Sequence, residues 1–146
     1  MTDLFDERFP ADLSRLEELR RVLREHLERL GVDEAQVDRM VLVVDEVVSN
    51  AIEHGSVYRR SPNPIRVCVE RFEAFLLLKV DDADVPSDLV TNLARVFDDQ
   101  IESVPSAVVE RGRGMFLITM FLEGLEILSA EGGGMRLQGR LDASAG

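Results

Sequence analysis

From Asp45 to Gly55 the chain reads Asp-Glu-Val-Val-Ser-Asn-Ala-Ile-Glu-His-Gly, a polar stripe set in a strongly apolar helical pattern. At 3.6 residues per turn, Val37, Val41, Val44, Val48 and Ile52 form one core-facing strip, while Glu46, Asn50 and Glu53 or His54 gather on another side. A carboxylate, an amide and an imidazole on one face are groups that can ligate a metal or move a proton. A polar group buried without a partner costs roughly 1–3 kcal/mol. These side chains are therefore either partly exposed and bonded to nearby backbone, or satisfied by a metal-bound ligand. Far along the chain, Glu110-Arg111-Gly112-Arg113-Gly114 runs straight into the apolar stretch Met115–Leu122. A glycine-punctuated turn at a helix start lets backbone N–H groups and the positive helix end approach an anion, which is how phosphates are commonly held. Alone, Gly-x-Gly is a weak signal.

Several elements must position these groups. Phe5, Glu7 and Phe9 alternate with Leu4, Asp6 and Arg8 as a short edge strand closed by Pro10. Ser14 with Glu17 forms a capping-box pattern, and Leu16, Leu19, Leu23, Leu27 and Leu30 supply an apolar helix face that Gly31 stops. Asp33 and Gln36 repeat the cap relation for a second helix, which carries the polar stripe to Gly55. After Ser61-Pro62-Asn63-Pro64, the alternation of Ile65, Val67 and Val69 and the run Ala74–Val80 predict an antiparallel hairpin ending in the acidic turn Asp81-Asp82-Ala83-Asp84-Val85-Pro86. Patterning weakens over 87–111, apart from a short helical signal at Leu89, Leu93, Val96 and Phe97, which predicts a mobile lid. A third helix opens at Gly112–Gly114. Strands Leu125–Ala130 and Met135–Leu141 follow, joined by Gly132-Gly133-Gly134, with 142–146 as a disordered tail. This order predicts an α/β (α+β) two-layer sandwich with a mostly antiparallel sheet and helices on one face.

With 146 residues, 45% of them hydrophobic, the chain is sized for a single domain over 1–146. Its net charge of −11, from 28 acidic and 17 basic residues, argues against direct nucleic-acid binding. There is no apolar run of the roughly 18 residues needed to span a bilayer, and Met1–Glu7 lacks the regions of a signal peptide, so a cytoplasmic protein without membrane contact is expected. Two histidines and the single Cys68 make a poor zinc site, and no structural metal is expected. An anionic nucleotide would have to be held by backbone amides, a few arginines such as Arg111 and Arg113, and a divalent cation, for which Mg²⁺ is suited.

Taken in order, Glu46-x-x-x-Asn50-Ala51-x-x-His54-Gly55, an apolar strand ending in Asp81, Arg111-Gly112-Arg113-Gly114 opening a helix, and a glycine turn before the last strand resemble the anti-sigma factor serine-protein kinases. These belong to the GHKL superfamily of ATPases with the Bergerat ATP-binding fold. The resemblance covers residues 4–141, and the Glu46–Gly55 block is its most specific part. It implies that Asn50 coordinates Mg²⁺ on the ATP phosphates and that Glu46 orients or deprotonates the attacking hydroxyl. An amide oxygen is a hard ligand suited to Mg²⁺, and a carboxylate about 6 Å along the same helix face can reach a nucleophile above the γ-phosphate. Asp81 would accept from the adenine amino group, with Ala83 beside it in the nucleotide pocket. Arg111, Gly112, Arg113 and Gly114 would face the phosphates, the two glycines letting the turn that follows the 87–111 lid close over them. His54 is read equally as a hydrogen-bonded helix-end residue and as a catalytic one.

The family usually carries Asp-x-Gly-x-Gly where this chain has Asp81-Asp82-Ala83-Asp84-Val85, and Gly-Thr where it has Gly134-Met135. Ala83 adds only a methyl group, whereas Val85 resists a positive φ. Two functions are therefore in view. In the first, the chain is an ATP- and Mg²⁺-dependent serine/threonine protein kinase that sequesters a sigma factor and phosphorylates a STAS-domain anti-anti-sigma antagonist, acting as a homodimer that pairs through Phe5 and Phe9. In the second, it is a non-enzymatic partner-switching module with degenerate or lost nucleotide binding.

Overall fold

Period-two burial builds the sheet and period-3.6 burial builds the layer that covers it. The computed structural model describes residues 4–55, 59, 63–91, 121–130 and 133–142. Its strands are β1 (Leu4–Phe9), β2 (Ile65–Arg71), β3 (Phe75–Asp82), β4 (Glu123–Ser129) and β5 (Met135–Asp142), and its long helices are α1 (Leu16–Arg29) and α2 (Glu34–Gly55). All pairings are antiparallel in the order β1-β2-β3-β5-β4. The last strand thus inserts between β3 and β4. In β3, Leu76, Leu78, Val80 and Asp82 are buried on the helix side, while Phe75, Leu77, Lys79 and Asp81 lie on the outer face. The core packs Leu19, Leu23 and Leu27 of α1 and Val37, Val41, Val44 and Val48 of α2 against Phe5, Ile65, Val67, Val69, Leu78 and Val80. The expected two-layer α+β sandwich is the fold observed.

Several local expectations change. Ser14 does not cap α1. Asp12 instead accepts from the Ser14 backbone N–H at 3.0 Å and starts a single 3-10 turn, Leu13–Arg15, that feeds the helix. At the other end Gly31 takes φ +79°, its N–H bonds Glu28 and that of Val32 bonds Leu27, so the helix closes in a Schellman motif. Gln36 does not complete a capping box. It is 2% exposed and its Nε2 donates to the Asp142 carbonyl at 2.6 Å, because a buried amide must find an acceptor and the end of β5 supplies one. Asp142 therefore belongs to the sheet rather than to a disordered tail, and 143–146 lie outside the described residues.

Phe5 and Phe9, expected as a dimer surface, are 1% and 8% exposed. The pleat of β1 turns both rings toward the helices, where burying each contributes about 1.5–3 kcal/mol, and this removes the surface on which pairing was expected. The start of β4 moves to Glu123, and its register against β5 shifts between Glu123 and Glu126, where Gly124 takes φ +62° in a bulge. Among the described residues no helix is long and apolar enough to cross a membrane.

Candidate functional site

The polar stripe of α2 is half-buried, as its helical phase requires: Val44 and Val48 face the core at 1% exposure each, and Glu46 and Asn50 lie one turn apart beside them. The Ser49 hydroxyl donates to the Glu46 backbone carbonyl at 3.3 Å. Among the described residues, none bonds to the side chains of Glu46 or Asn50. A hard amide oxygen and a carboxylate are thus presented together at the edge of the core, a donor set whose chemistry fits a magnesium–phosphate group.

The structure redistributes the acidic turn. Asp81 points to the outer face, away from α2, and its carboxylate accepts from Arg136 Nε at 2.7 Å and Nη2 at 2.9 Å. Arg66 stands 4.0 Å from the same carboxylate and bonds Asp6 on β1 at 2.9 and 2.7 Å. Asp6, Arg66, Asp81 and Arg136 form an alternating charge ladder across four neighbouring strands. The Arg66 bonds hold the Asp6 carboxyl down to about 2. The Asp81 bonds hold the Arg136 guanidinium above its ordinary value. Burial, and then donation of the Cys68 thiol to Asp6 at 3.3 Å, push that thiol up to about 11. Asp81 is thus committed to the outer face of the sheet, not to a pocket beside α2.

The acidic residue that does face α2 is Asp82, 2% exposed. Its Oδ1 and Oδ2 accept from Arg59 Nη1 at 3.1 Å and Nη2 at 2.8 Å. Nη2 also reaches the Ala51 carbonyl on α2 at 3.2 Å, and Nη1 reaches Asp84 Oδ2 at 3.1 Å. Arg59 itself is placed by its N–H, which bonds the Gly55 carbonyl at 2.8 Å beyond the end of α2. Counted from Asp82, the Asp-x-Gly-x-Gly turn has Asp84 and Pro86 in its glycine positions rather than Ala83 and Val85. Among the described residues no non-glycine has a positive φ, and Val85 is a core residue at 3% exposure. This turn therefore closes without glycine. Ala83 is exposed at its apex. Gly134, at φ +85°, lies so close that a Cβ there would stand 2.3 Å from the Asp82 carbonyl and 2.5 Å from Ala83 Cα.

Arg59 and Gly134 thus bring Ala51 of α2, Asp82 and Ala83 together at one end of the sheet, Glu46 and Asn50 precede Ala51 on the same helix, and Asp81 is set apart on the outer face. Arg111, Gly112, Arg113, Gly114 and the side chain of His54 lie outside the described residues, as does most of the 87–111 segment. Of that segment the first five residues are helical, with Val90 in the core. Asp82 was accessible to parity, since Leu76, Leu78 and Val80 put it on the buried face. Arg59 carried no periodic signal.

The histidine kinase-like ATPase domain model matches residues 9–139. Among solved structures, the SiaB–SiaC complex from Pseudomonas aeruginosa superimposes with a TM-score of 0.68 at 17% identity, covering 97% of this chain and 90% of that one. The RsbU and RsbW domains of Rv1364c from Mycobacterium tuberculosis give 0.62 at 17% identity, covering 97% of this chain and 32% of that one. No curated protein sequence matches. The solved structures speak for the shared fold, whereas the family match runs from the end of β1 into β5 and takes in the α2 stripe. On that match the chain belongs to the histidine kinase-like ATPase domain family.

Proposed function

We propose that the chain binds Mg²⁺-ATP between the polar face of α2 and the end of β3, and works in the cytoplasm as a serine/threonine protein kinase of the anti-sigma type. The observation that carries this reading is the pair Glu46 and Asn50, one turn apart on α2 and unbonded among the described residues, in a chain of an ATPase family. Asn50 would ligate Mg²⁺, whose bound charge neutralises the phosphates during transfer. Glu46 would orient the attacking hydroxyl and accept its proton. Asp82, rather than Asp81, faces the side from which a purine amino group would approach. The 87–111 segment, with Arg111, Gly112, Arg113 and Gly114, would close over the triphosphate. The partners proposed are a sigma factor, which the chain sequesters, and a STAS-domain antagonist, which it phosphorylates. Support for a protein partner comes from two structural neighbours: SiaB is solved in complex with SiaC, and the RsbW domain shares a chain with RsbU.

A second reading is a partner-binding module without nucleotide. It is favoured by the pairing of Asp82 with Arg59 and by Asp84 and Pro86 at the usual glycine positions. Titration calorimetry with ATP in the presence and absence of Mg²⁺ separates the two. The kinase reading expects Mg²⁺-dependent heat in the micromolar to millimolar range, and the absence of heat and of any thermal shift at millimolar ATP leaves the module.

A further inference from the structure

Asp82, the buried acidic residue that ends β3, already has a cation on it. Asp82 presents both oxygens to Arg59, whose side chain is 12% exposed and which also spans to Ala51 on α2 and to Asp84. The Asp84 N–H adds a bond to Asp82 Oδ1 at 3.1 Å, and Asn63 Nδ2 holds Asp84 Oδ1 at 3.1 Å. Arg59 is therefore a strap from the end of α2 across the mouth of the β3 turn. An exocyclic amine on a base is a neutral donor. The guanidinium that it would have to displace brings a full positive charge and two parallel N–H donors to the same carboxylate, and a bidentate pair adds both energy and geometric specificity.

We propose that Arg59 is a specificity-determining residue that competes with the nucleotide base for Asp82, so that the chain's affinity for a nucleotide comes from its phosphates and the base adds little until Arg59 moves. This rests on the reading that the site holds a magnesium nucleotide. It makes base recognition a conditional property: whatever draws Arg59 away, such as an acidic side chain of a docked partner, switches the base subsite on. The geometry also accounts for the missing glycines, since Asp84 in the first glycine position is itself a ligand of the strap.

The test is the ratio of affinities for Mg²⁺-ATP and Mg²⁺-tripolyphosphate, which share phosphates and differ in the nucleoside. In the wild type the two should bind within about threefold of each other. In Arg59→Gln the ratio should rise about tenfold in favour of ATP, a change that a general loss of positive charge would not produce because it acts on both ligands. Leaving Asp82 unpaired in the core is costly, so Arg59→Gln/Asp84→Asn, which removes one carboxylate and keeps the Asp82 acceptor, is measured beside it. On the wild type, the Arg59 Nε–H resonance should respond to saturating Mg²⁺-ATP no differently than to Mg²⁺-tripolyphosphate, because the guanidinium keeps Asp82. An unchanged ratio in both variants, or a wild-type Arg59 resonance that shifts with Mg²⁺-ATP and not with Mg²⁺-tripolyphosphate, overturns the competition while leaving nucleotide binding standing. Failure of both ligands to bind the wild type and both variants removes the nucleotide reading and this proposal with it.

Discussion

Glu46 and Asn50 share a helix face but have different atoms to offer, so their losses should separate. Asn50→Ala removes an oxygen ligand, and Mg²⁺-dependent ATP binding should drop by at least about tenfold in calorimetry. Glu46→Gln keeps the shape and removes the base. Binding should stay within about twofold while phosphoryl transfer to a STAS-type partner falls by about 10²-fold or more. Transfer that survives Glu46→Gln would take the base assignment away from this residue. Asp6 offers a control on the opposite face. Its carboxyl is held at about 2, below the ordinary 3.8, by Arg66. A depressed carboxylate stabilises the fold above its unfolded value and loses that contribution as pH falls through its folded one. Asp6→Asn should therefore cost no more than about 1 kcal/mol at pH 7, this being a partly exposed pair. The gap from wild type should close between about pH 4 and pH 2, and denaturant midpoints at pH 7, 4 and 2 check it. A gap that persists at pH 2 would mean that Asp6 acts through packing rather than charge.

At the scale of elements, the end of β3 and the turn before β5 behave as one unit. Gly134 sits at φ +85° against Asp82 and Ala83, whereas Gly133, at φ +104°, has open space around its Cα. Gly133→Ala should cost only the conformational penalty, about 1–3 kcal/mol. Gly134→Ala adds a clash with backbone and should cost about 4 kcal/mol or more, read from thermal or urea unfolding. Equal costs would show that the turn can move away from β3 freely. The hairpin β2–β3, the α2 stripe and the Gly31 stop follow from alternation, helical phase and a left-handed glycine, all local properties. The acidic turn does not. Its reading depended on which of two adjacent aspartates faces inward, and a one-residue slip sends every side chain to the other face. Val85 reads as an obstacle to a glycine turn and is in fact a core side chain, so Val85→Gly would lose about 1.5–3 kcal/mol of burial instead of repairing the site. Arg59 and Gln36 escape sequence reading for the same reason: each finds its partner across the fold, Gln36 at Asp142 and Arg59 at Asp82 and Ala51.

At the scale of the molecule, charge decides how copies can meet. Each chain carries −11, so two copies bring −22 together. The rings expected to compensate are in the core, since Phe5 and Phe9 face the helices rather than a neighbour. A homodimer, proposed here as part of the anti-sigma reading, has two sheet edges open to it among the described residues, with β1 and β4 as the terminal strands of the sheet. Such an edge can pair with another chain without burying aromatic surface. Repulsion between like-charged protomers is long-ranged at low salt, with a Debye length of about 30 Å at 0.01 M, and is largely screened at 1 M, where it is about 3 Å. A dimer held by an edge and opposed by net charge should therefore tighten as salt rises. Light scattering at high micromolar protein should give a mass that climbs from the 16.4 kDa of one chain toward twice that value between low and molar NaCl. A dimer held instead by ion pairs across the interface would show the reverse trend. A mass that stays at one chain across the whole salt range would remove the dimer from the proposed mechanism and leave the monomer to do the work of binding both nucleotide and partner.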